Sequence, residues 1–453
     1  MSSRPLPARP WWRLLPGARH PTQIVVFAFA AATLVGTTLL MLPIATESGS
    51  STGAVPALFT AVSAICVTGL VVVDTPTHWS TFGEGVVLAL IQVGGFGVMT
   101  LASLLTLLVS RRLGLRMQLT AQTETKALGL GDVRTVVGGV IVVSLVVEAL
   151  TAIALALRFM IGYGESPGRA IYLGVFHAVS AFNNAGFALY TDSMIGFATD
   201  PWICLPILVA VILGGLGFPV LFELLRRRSR KRWSLHTRIT LPVYFGLLLV
   251  GTLAVVLLEW RNTLGDLDVE HKLLAGLFHG AMPRTAGFNS VDVGAMHSST
   301  LLISDVLMFI GGGSAGTAGG IKVTTFALLA FVIFAEIRGE PTVHVLGRRI
   351  TAQVQRQALT VALLGVGAVM TGTITLLIIS PFSVDDVLFE VTSAFGTVGL
   401  STGITAQLPV GGQLVLVVLM FLGRLGPITL ASALALRDRA RRYEYPEERP
   451  IVG

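Results

Sequence analysis

The chain repeats one pattern four times, and the pattern is a pair of glycine signatures held at a nearly fixed distance. Phe59-Thr-Ala-Val-Ser-Ala-Ile-Cys-Val-Thr-Gly69 matches Phe176-His-Ala-Val-Ser-Ala-Phe-Asn-Asn-Ala-Gly186 and Phe389-Glu-Val-Thr-Ser-Ala-Phe-Gly-Thr-Val-Gly399, with a looser copy at Leu277-Phe-His-Gly-Ala-Met-Pro-Arg-Thr-Ala-Gly287. Each is followed by a second signature: Gly94-Gly-Phe-Gly97 lies 25 residues after Gly69, Gly214-Gly-Leu-Gly217 28 after Gly186, Gly311-Gly-Gly-Ser314 24 after Gly287, and Gly423-Arg-Leu-Gly426 24 after Gly399. Two linked signatures, each present four times, establish internal duplication, and such a period dictates the architecture before any local reading.

The segments between signatures are apolar. Of the 453 residues, 53% are hydrophobic and only 13% charged, about half the charge a soluble protein carries. Seven runs, at 24–42, 86–109, 136–157, 203–225, 239–258, 358–379 and 414–436, are long enough to cross a bilayer at about 20 residues each. An eighth at 301–335 is interrupted by a glycine tract. Clusters of four, five, seven, four and five basic residues at 4–19, 111–134, 226–238, 338–356 and 437–449 hold 25 of the 32 Lys and Arg. The alternate connections carry Glu47, Asp74, Glu84, Asp192, Asp200, Asp292, Asp385 and Asp386. Basic loops mark the cytoplasmic side, so the net charge of +7 reads as a topology signal that also touches anionic lipid, and no nucleic-acid partner is expected. Cys66 and Cys204 lie in apolar segments and imply no disulfide framework. The first run is expected to stay as a helix, since seven more spans follow it.

Each repeat therefore reads as span, short apolar segment, glycine, span. The short segments, at about 54–66, 170–182, 272–282 and 384–395, cannot cross and are expected to re-enter from outside as half-helices. Pro56, Pro167 and the Asp385/Asp386 pair suit helix starts. The negative end of each half-helix dipole then lies near the membrane midplane and favours a cation. Glycine follows where the chain must turn back, freeing the preceding carbonyls to face an axis. Irregular backbone at that depth is tolerated when buried in protein or lining an aqueous path, and rings of carbonyls in place of a hydration shell are how K⁺ is selected. The candidate filter strands are Cys66-Val67-Thr68-Gly69, Asn183-Asn184-Ala185-Gly186, Arg284-Thr285-Ala286-Gly287 and Gly396-Thr397-Val398-Gly399. The second glycine set suits tight helix packing.

These strands, with Gly316-Thr-Ala-Gly-Gly-Ile-Lys322-Val-Thr-Thr325, resemble the filter and gate sequences of the Trk/Ktr/HKT superfamily of K⁺ transporters. The likeness covers nearly the whole chain, and with eight spans it looks most like the membrane subunits of bacterial Ktr systems. It implies an all-α polytopic membrane protein with four pseudo-symmetric helix–pore-helix–helix repeats around one pore. The expected layout is an N-terminal tail at 1–22, repeat 1 at 23–110, a loop at 111–132, repeat 2 at 133–228, a loop at 229–237, repeat 3 at 238–336, a loop at 337–353, repeat 4 at 354–437 and a tail at 438–453. Tails and inter-repeat loops are expected in the cytoplasm, with the protein in the bacterial inner membrane. The resemblance further implies a homodimer with one pore per protomer and a cytosolic RCK-type ring that alone binds nucleotide. K⁺ is then the substrate and Na⁺ a candidate activator. Serine at the first filter glycine accompanies Na⁺ conduction in the family, so Gly69 favours K⁺.

The copies also differ. Six glycines in ten residues (Gly311, Gly312, Gly313, Gly316, Gly319 and Gly320) cannot keep a lipid-facing helix, at about 1 kcal/mol of lost propensity each. An intramembrane loop at 311–320 that obstructs the inner half of the pore is expected, with Lys322 as its anchor. Gly311-x-Gly313-x-x-Gly316 also fits a dinucleotide fingerprint but lacks the βαβ setting. Arg424 replaces the second glycine of its signature and is expected mid-membrane as an electrostatic barrier, or as a structural arginine. Arg284 is expected to turn away from the axis and pair with an acid. Glu148, inside a span, reads equally as that acid, as a shielded carboxyl or as a Na⁺ site, and His177 and His279 as packing or rim residues. Competing readings are an intramembrane enzyme, for which no nucleophile–base or metal pattern is present, an alternating carrier, which calls for an inverted repeat, and a less selective Na⁺/K⁺ channel.

Overall fold

The computed structural model describes residues 21–112, 133–226 and 233–426, and these are mostly helical with almost no strand. The expected tails at 1–22 and 438–453, the loop at 111–132 and part of the loop at 229–237 lie wholly or mostly outside the described residues, as does the last span beyond 426. Repeat 1 comprises α1 (Pro21–Leu40), pore helix α2 (Ala54–Ile65) and α3 (Thr81–Arg112). Repeat 2 comprises α4 (Val133–Tyr163), pore helix α5 (Pro167–Phe182), α6 (Pro201–Leu216) and α7 (Phe218–Arg226). Repeat 3 has α8 (Leu235–Leu258), pore helix α9 (Val269–Ala281), α10 (Ser298–Phe309) and α11 (Val323–Ile337). Repeat 4 has α12 (Ala352–Ile379), pore helix α13 (Val384–Gly396) and α14 (Val410–Leu425). A two-residue hairpin, β1 (His344–Val345) with β2 (Arg348–Arg349), links repeats 3 and 4.

Local signals start the pore helices where needed. Ser166 caps α5 by accepting from the Arg169 N–H, with Pro167 in the first turn. Ser383 caps α13, accepting from the Asp386 N–H at 3.2 Å while its hydroxyl donates to the Asp386 carboxylate at 2.7 Å, a reciprocal cap that satisfies otherwise orphaned groups. The pore helices are the core: Phe59, Phe176, Phe278 and Phe389 are all fully buried. Around them Leu34, Leu150, Leu257, Leu363 and Ile378 face outward uncovered. An apolar exterior around a buried, more polar centre is the membrane arrangement. Among the described helices, Val137–Tyr163, Leu235–Leu258 and Ala352–Ile379 are each long and apolar enough to cross alone.

Packing between repeats runs in one direction and closes. α3 of repeat 1 touches pore helix α5, α6 touches α9, α10 touches α13, and α14 of repeat 4 returns to α2 of repeat 1. The fold is an all-α membrane protein of four pseudo-equivalent units around one axis.

The expected unbroken span at 203–225 is not one helix. α6 ends at Gly217, with φ +90°, and α7 leaves at 101° to it. Gly426 ends α14 with nearly the same backbone, φ 82° and ψ 139° against 90° and 142°. The last glycine of the second signature is thus a turn in repeats 2 and 4. It stays helical as Gly97 in repeat 1.

Candidate cation pathway

The four candidate filter strands close into a ring. A Cβ placed on Gly69 would sit 2.3 Å from the Ala185 carbonyl oxygen; on Gly186, 2.6 Å from Ala286 O; on Gly287, 2.2 Å from Val398 O; and on Gly399, 2.1 Å from Thr68 O. Each glycine therefore leans on the next strand, and the fourth leans on the first. All four have positive φ, 95°, 70°, 63° and 95°, so a side chain here is barred twice, by conformation and by space. Two residues earlier, Val67, Asn184 and Thr397 are also left-handed, at φ 56°, 60° and 48°. Non-glycine residues hold that conformation only where the surroundings over-determine it. Repeat 3 departs, its Thr285 being extended at φ 170°.

The second signature explains its own spacing. A Cβ on Gly94 would lie 1.9 Å from Ile65 O, on Gly214 1.9 Å from Phe182 O, and on Gly423 1.7 Å from Phe395 O. In three repeats the second span presses bare backbone against the last turn of its own pore helix, so helix ends and strands are located together. A serine six residues before the filter glycine does related work that sequence reasoning passed over. Ser63 and Ser393 accept from the Gly69 and Gly399 N–H groups, both at 3.1 Å, and Ser180 donates to Phe187 O at 2.8 Å. The signal was its recurrence in the three closer copies; repeat 3 has Ala281 instead.

Behind the ring the expected pairing of Arg284 with an acid fails. Its guanidinium lies over the Tyr244 ring, 3.7 Å from the centroid, and donates to Tyr244 O at 2.5 Å. Nε and Nη2 have no partner among the described residues. A π face and a carbonyl stand where a carboxylate was expected. Glu148 is elsewhere: both its oxygens accept from Gln92 Nε2 at 3.1 Å, and Oε1 also from Asn183 Nδ2 at 3.2 Å. His177 is a packing residue, with Nε2 accepting from the Leu189 N–H at 3.2 Å and Nδ1 bonded to Leu173 O at 2.8 Å. His279 is buried in the equivalent place on α9.

Between α10 and α11 the glycine tract is non-helical and folds back against the pore helix ends. Gly313 N–H donates to Gly215 O at 2.7 Å and Thr317 N–H to Gly214 O at 3.2 Å, binding one side to repeat 2. On the other side a Cβ on Gly319 would fall 2.0 Å from Thr397 Oγ1 in repeat 4. Two cations then hold three consecutive carbonyls. Arg424 Nη1 donates to Thr317 O and Nη2 to Gly94 O at 3.1 Å, while Lys322 Nζ donates to Ala318 O at 2.6 Å and Gly319 O at 3.3 Å. Thr317 also meets the ring: the Asn184 amide is satisfied with Nδ2 toward Thr317 Oγ1 at 3.2 Å and its oxygen accepting from Thr285.

Four half-helices ending on one closed backbone ring, with an irregular loop crossing just beyond it, define a membrane protein of the pore-loop transport class. The chain belongs to the TrkH family of cation transport proteins, whose family model matches residues 6–441. It is 39% identical over 435 residues to the Ktr system potassium uptake protein B of Bacillus subtilis, covering 96% of this chain and 97% of that one. It is 35% identical over 444 residues to the potassium/sodium uptake protein NtpJ of Enterococcus hirae, covering 96% and 97%. Its fold matches the crystal structure of the potassium transporter TrkH from Vibrio parahaemolyticus, with a TM-score of 0.74 and 18% identity over 93% of this chain and 86% of that one.

Proposed function

We propose that this chain is the K⁺-conducting membrane subunit of a Ktr-type uptake system. The observation that carries the reading is the closed ring of four strands at the converging C-terminal ends of four half-helices. Carbonyls from Cys66, Val67, Thr68 and Gly69, and from their counterparts in the other three repeats, replace the hydration shell of K⁺. The half-helix dipoles add a favourable field. Below the ring the loop at 311–320 is the gate in its closed position, and Arg424 and Lys322 hold it there while opposing cations electrostatically. Conduction through such a path makes and breaks no covalent bond, so the protein is a transporter and not an enzyme.

The fuller assignment follows the resemblance. The chain works as a homodimer in the bacterial inner membrane, with termini and the loops at 111–132, 229–237 and 337–353 in the cytoplasm, where a separate RCK-type ring docks and brings nucleotide control. Two uptake systems named for potassium among the relatives support K⁺ as substrate. The relative named a potassium/sodium uptake protein favours a second reading, a pore that also passes Na⁺ or is activated by it. Rubidium uptake into proteoliposomes, with Na⁺ as competitor and with or without the cytosolic ring, tests the proposal. Saturable uptake displaced by K⁺ but not by equimolar Na⁺ is expected. Equal displacement by both ions supports the less selective pore, and absence of uptake with and without the ring refutes both.

A further inference from the structure

Glu148 is more than nine-tenths buried in the middle of α4, and no basic side chain pairs with it among the described residues. Its contacts join three elements: Gln92 on α3 of repeat 1, its own helix in repeat 2, and Asn183, the first residue of the repeat 2 filter strand. The polarity of this cluster is fixed by the backbone. Asn183 Nδ2 faces Val179 O at 3.0 Å, and a main-chain carbonyl can only accept. The same Nδ2 faces Gln92 Oε1 at 2.8 Å, which makes the oxygen of that amide the acceptor and turns Gln92 Nε2 toward Glu148. Both carboxyl oxygens of Glu148 are thus met by donors. The arrangement suits the carboxylate anion.

The cluster is also built into the signature. A Cβ on Gly95 would lie 1.8 Å from Asn183 Oδ1, so the second glycine of repeat 1 is the space Asn183 occupies. The preceding residue, Gly94, gives its carbonyl to Arg424. An unpaired anion at membrane depth is costly and marks function unless a cation neutralises it. Arg424 is committed to backbone carbonyls of Gly94 and Thr317. Arg284 is committed to Tyr244. Lys322 is committed to Ala318 O and Gly319 O, so among the described residues the charge left to balance Glu148 is that of a cation passing through the ring.

We propose that Glu148 is the fixed counter-charge of the cation pathway: a positioning residue that holds Asn183 from behind and raises occupancy of the ring by the permeating cation. The inference rests on the ring being the cation path. At an effective dielectric of about 20, a unit charge about 10 Å from an ion is worth roughly fifteen-fold in affinity.

Rb⁺ uptake as a function of Rb⁺ concentration, in Na⁺-free proteoliposomes of the full chain, tests this. Glu148→Gln keeps the shape and removes the charge; it should raise the half-saturating Rb⁺ concentration about tenfold or more with little loss of maximal rate. Glu148→Asp should restore most of the affinity, and so should the double variant Gln92→Glu/Glu148→Gln, which returns one carboxylate to the cluster. If the single Gln variant does not yield folded protein, the double variant carries the test, and weak Rb⁺ affinity in a well-folded double overturns the proposal. A Glu148→Gln half-saturation within twofold of the unsubstituted protein overturns it too, as does loss of Na⁺ stimulation alone in a parallel series with Na⁺ added, which would assign Glu148 to a Na⁺ site. A fall in amount of protein with unchanged half-saturation would make Glu148 merely structural. Absence of Rb⁺ uptake by the unsubstituted protein would instead refute the cation path itself.

Discussion

Replacing Arg424 by Gln should open the pathway. The guanidinium ties the loop to repeat 1, donating to Thr317 O in the loop and to Gly94 O on α3, and a hydrogen bond from a charged donor contributes about 1.5–3 kcal/mol. Glutamine can keep one neutral bond at about 1 kcal/mol. The loop then loses about 0.5–2 kcal/mol of its tether, and at 1.4 kcal/mol per factor of ten its displaced fraction rises by roughly two- to thirty-fold. Removal of the charge acts in the same direction. A unit positive charge at 4 Å from a permeating ion opposes it by about 4 kcal/mol at an effective dielectric of 20. Initial Rb⁺ uptake into proteoliposomes of Arg424→Gln, normalised to reconstituted protein, should therefore rise at least tenfold. Lys322→Met, which removes the bonds to Ala318 O and Gly319 O, should act likewise but less, since Arg424 remains. Normal amounts of Arg424→Gln protein with unchanged or lower uptake would show that the arginine does not restrain the pathway, and loss of the protein would make it structural.

Three other substitutions probe the scaffold. Gly214→Ala puts a Cβ 1.9 Å from Phe182 O, and the forced shift should cost about 1–3 kcal/mol, seen as a lower thermal midpoint in detergent and reduced uptake. Ser393→Ala removes the acceptor of the Gly399 N–H at about 1 kcal/mol, and should weaken K⁺-over-Na⁺ discrimination more than it weakens stability. Glu259→Gln should lower stability at neutral pH. Burial alone would raise this carboxyl's pKa, but bonds from Thr300, the His297 N–H, Asn262 and Thr263 outweigh it and hold the pKa below the ordinary 4.5. Its contribution is therefore present above pH 4.5 and fades as pH falls through the lower folded value. Thermal midpoints of the two proteins should differ at pH 7 and converge in strong acid.

Much of this fold was legible because the repeat carries it. The expected half-helix at 384–395 is observed as Val384–Gly396, and the one at 54–66 as Ala54–Ile65. The glycine tract was marked by its composition, Lys322 by ending it, and Arg424 by replacing a glycine of the repeated signature. What escaped depends on contacts between distant residues. The run at 203–225 is apolar but for Glu223 near its end, so its hydropathy does not announce the turn at Gly217, which follows from the loop of repeat 3: a Cβ there would meet Ser314 O at 2.3 Å. Arg284 found an aromatic face 40 residues away, a partner that charge counting does not seek. Glu148 could be singled out as a charge in a span, but its place behind Asn183 needed the packing of α3 on α4.

If the four strands form one ring through which cations pass, all four glycines are equivalent in kind. Rb⁺ uptake with Na⁺ competition, measured for Gly69→Ala, Gly186→Ala, Gly287→Ala and Gly399→Ala in turn, tests it most directly. Each added Cβ would fall 2.1–2.6 Å from the neighbouring strand's carbonyl oxygen. The expected result is that every one of the four depresses Rb⁺ uptake or erodes its preference over Na⁺. A folded variant at any one position that keeps both the rate and the selectivity of the unsubstituted protein would contradict the ring.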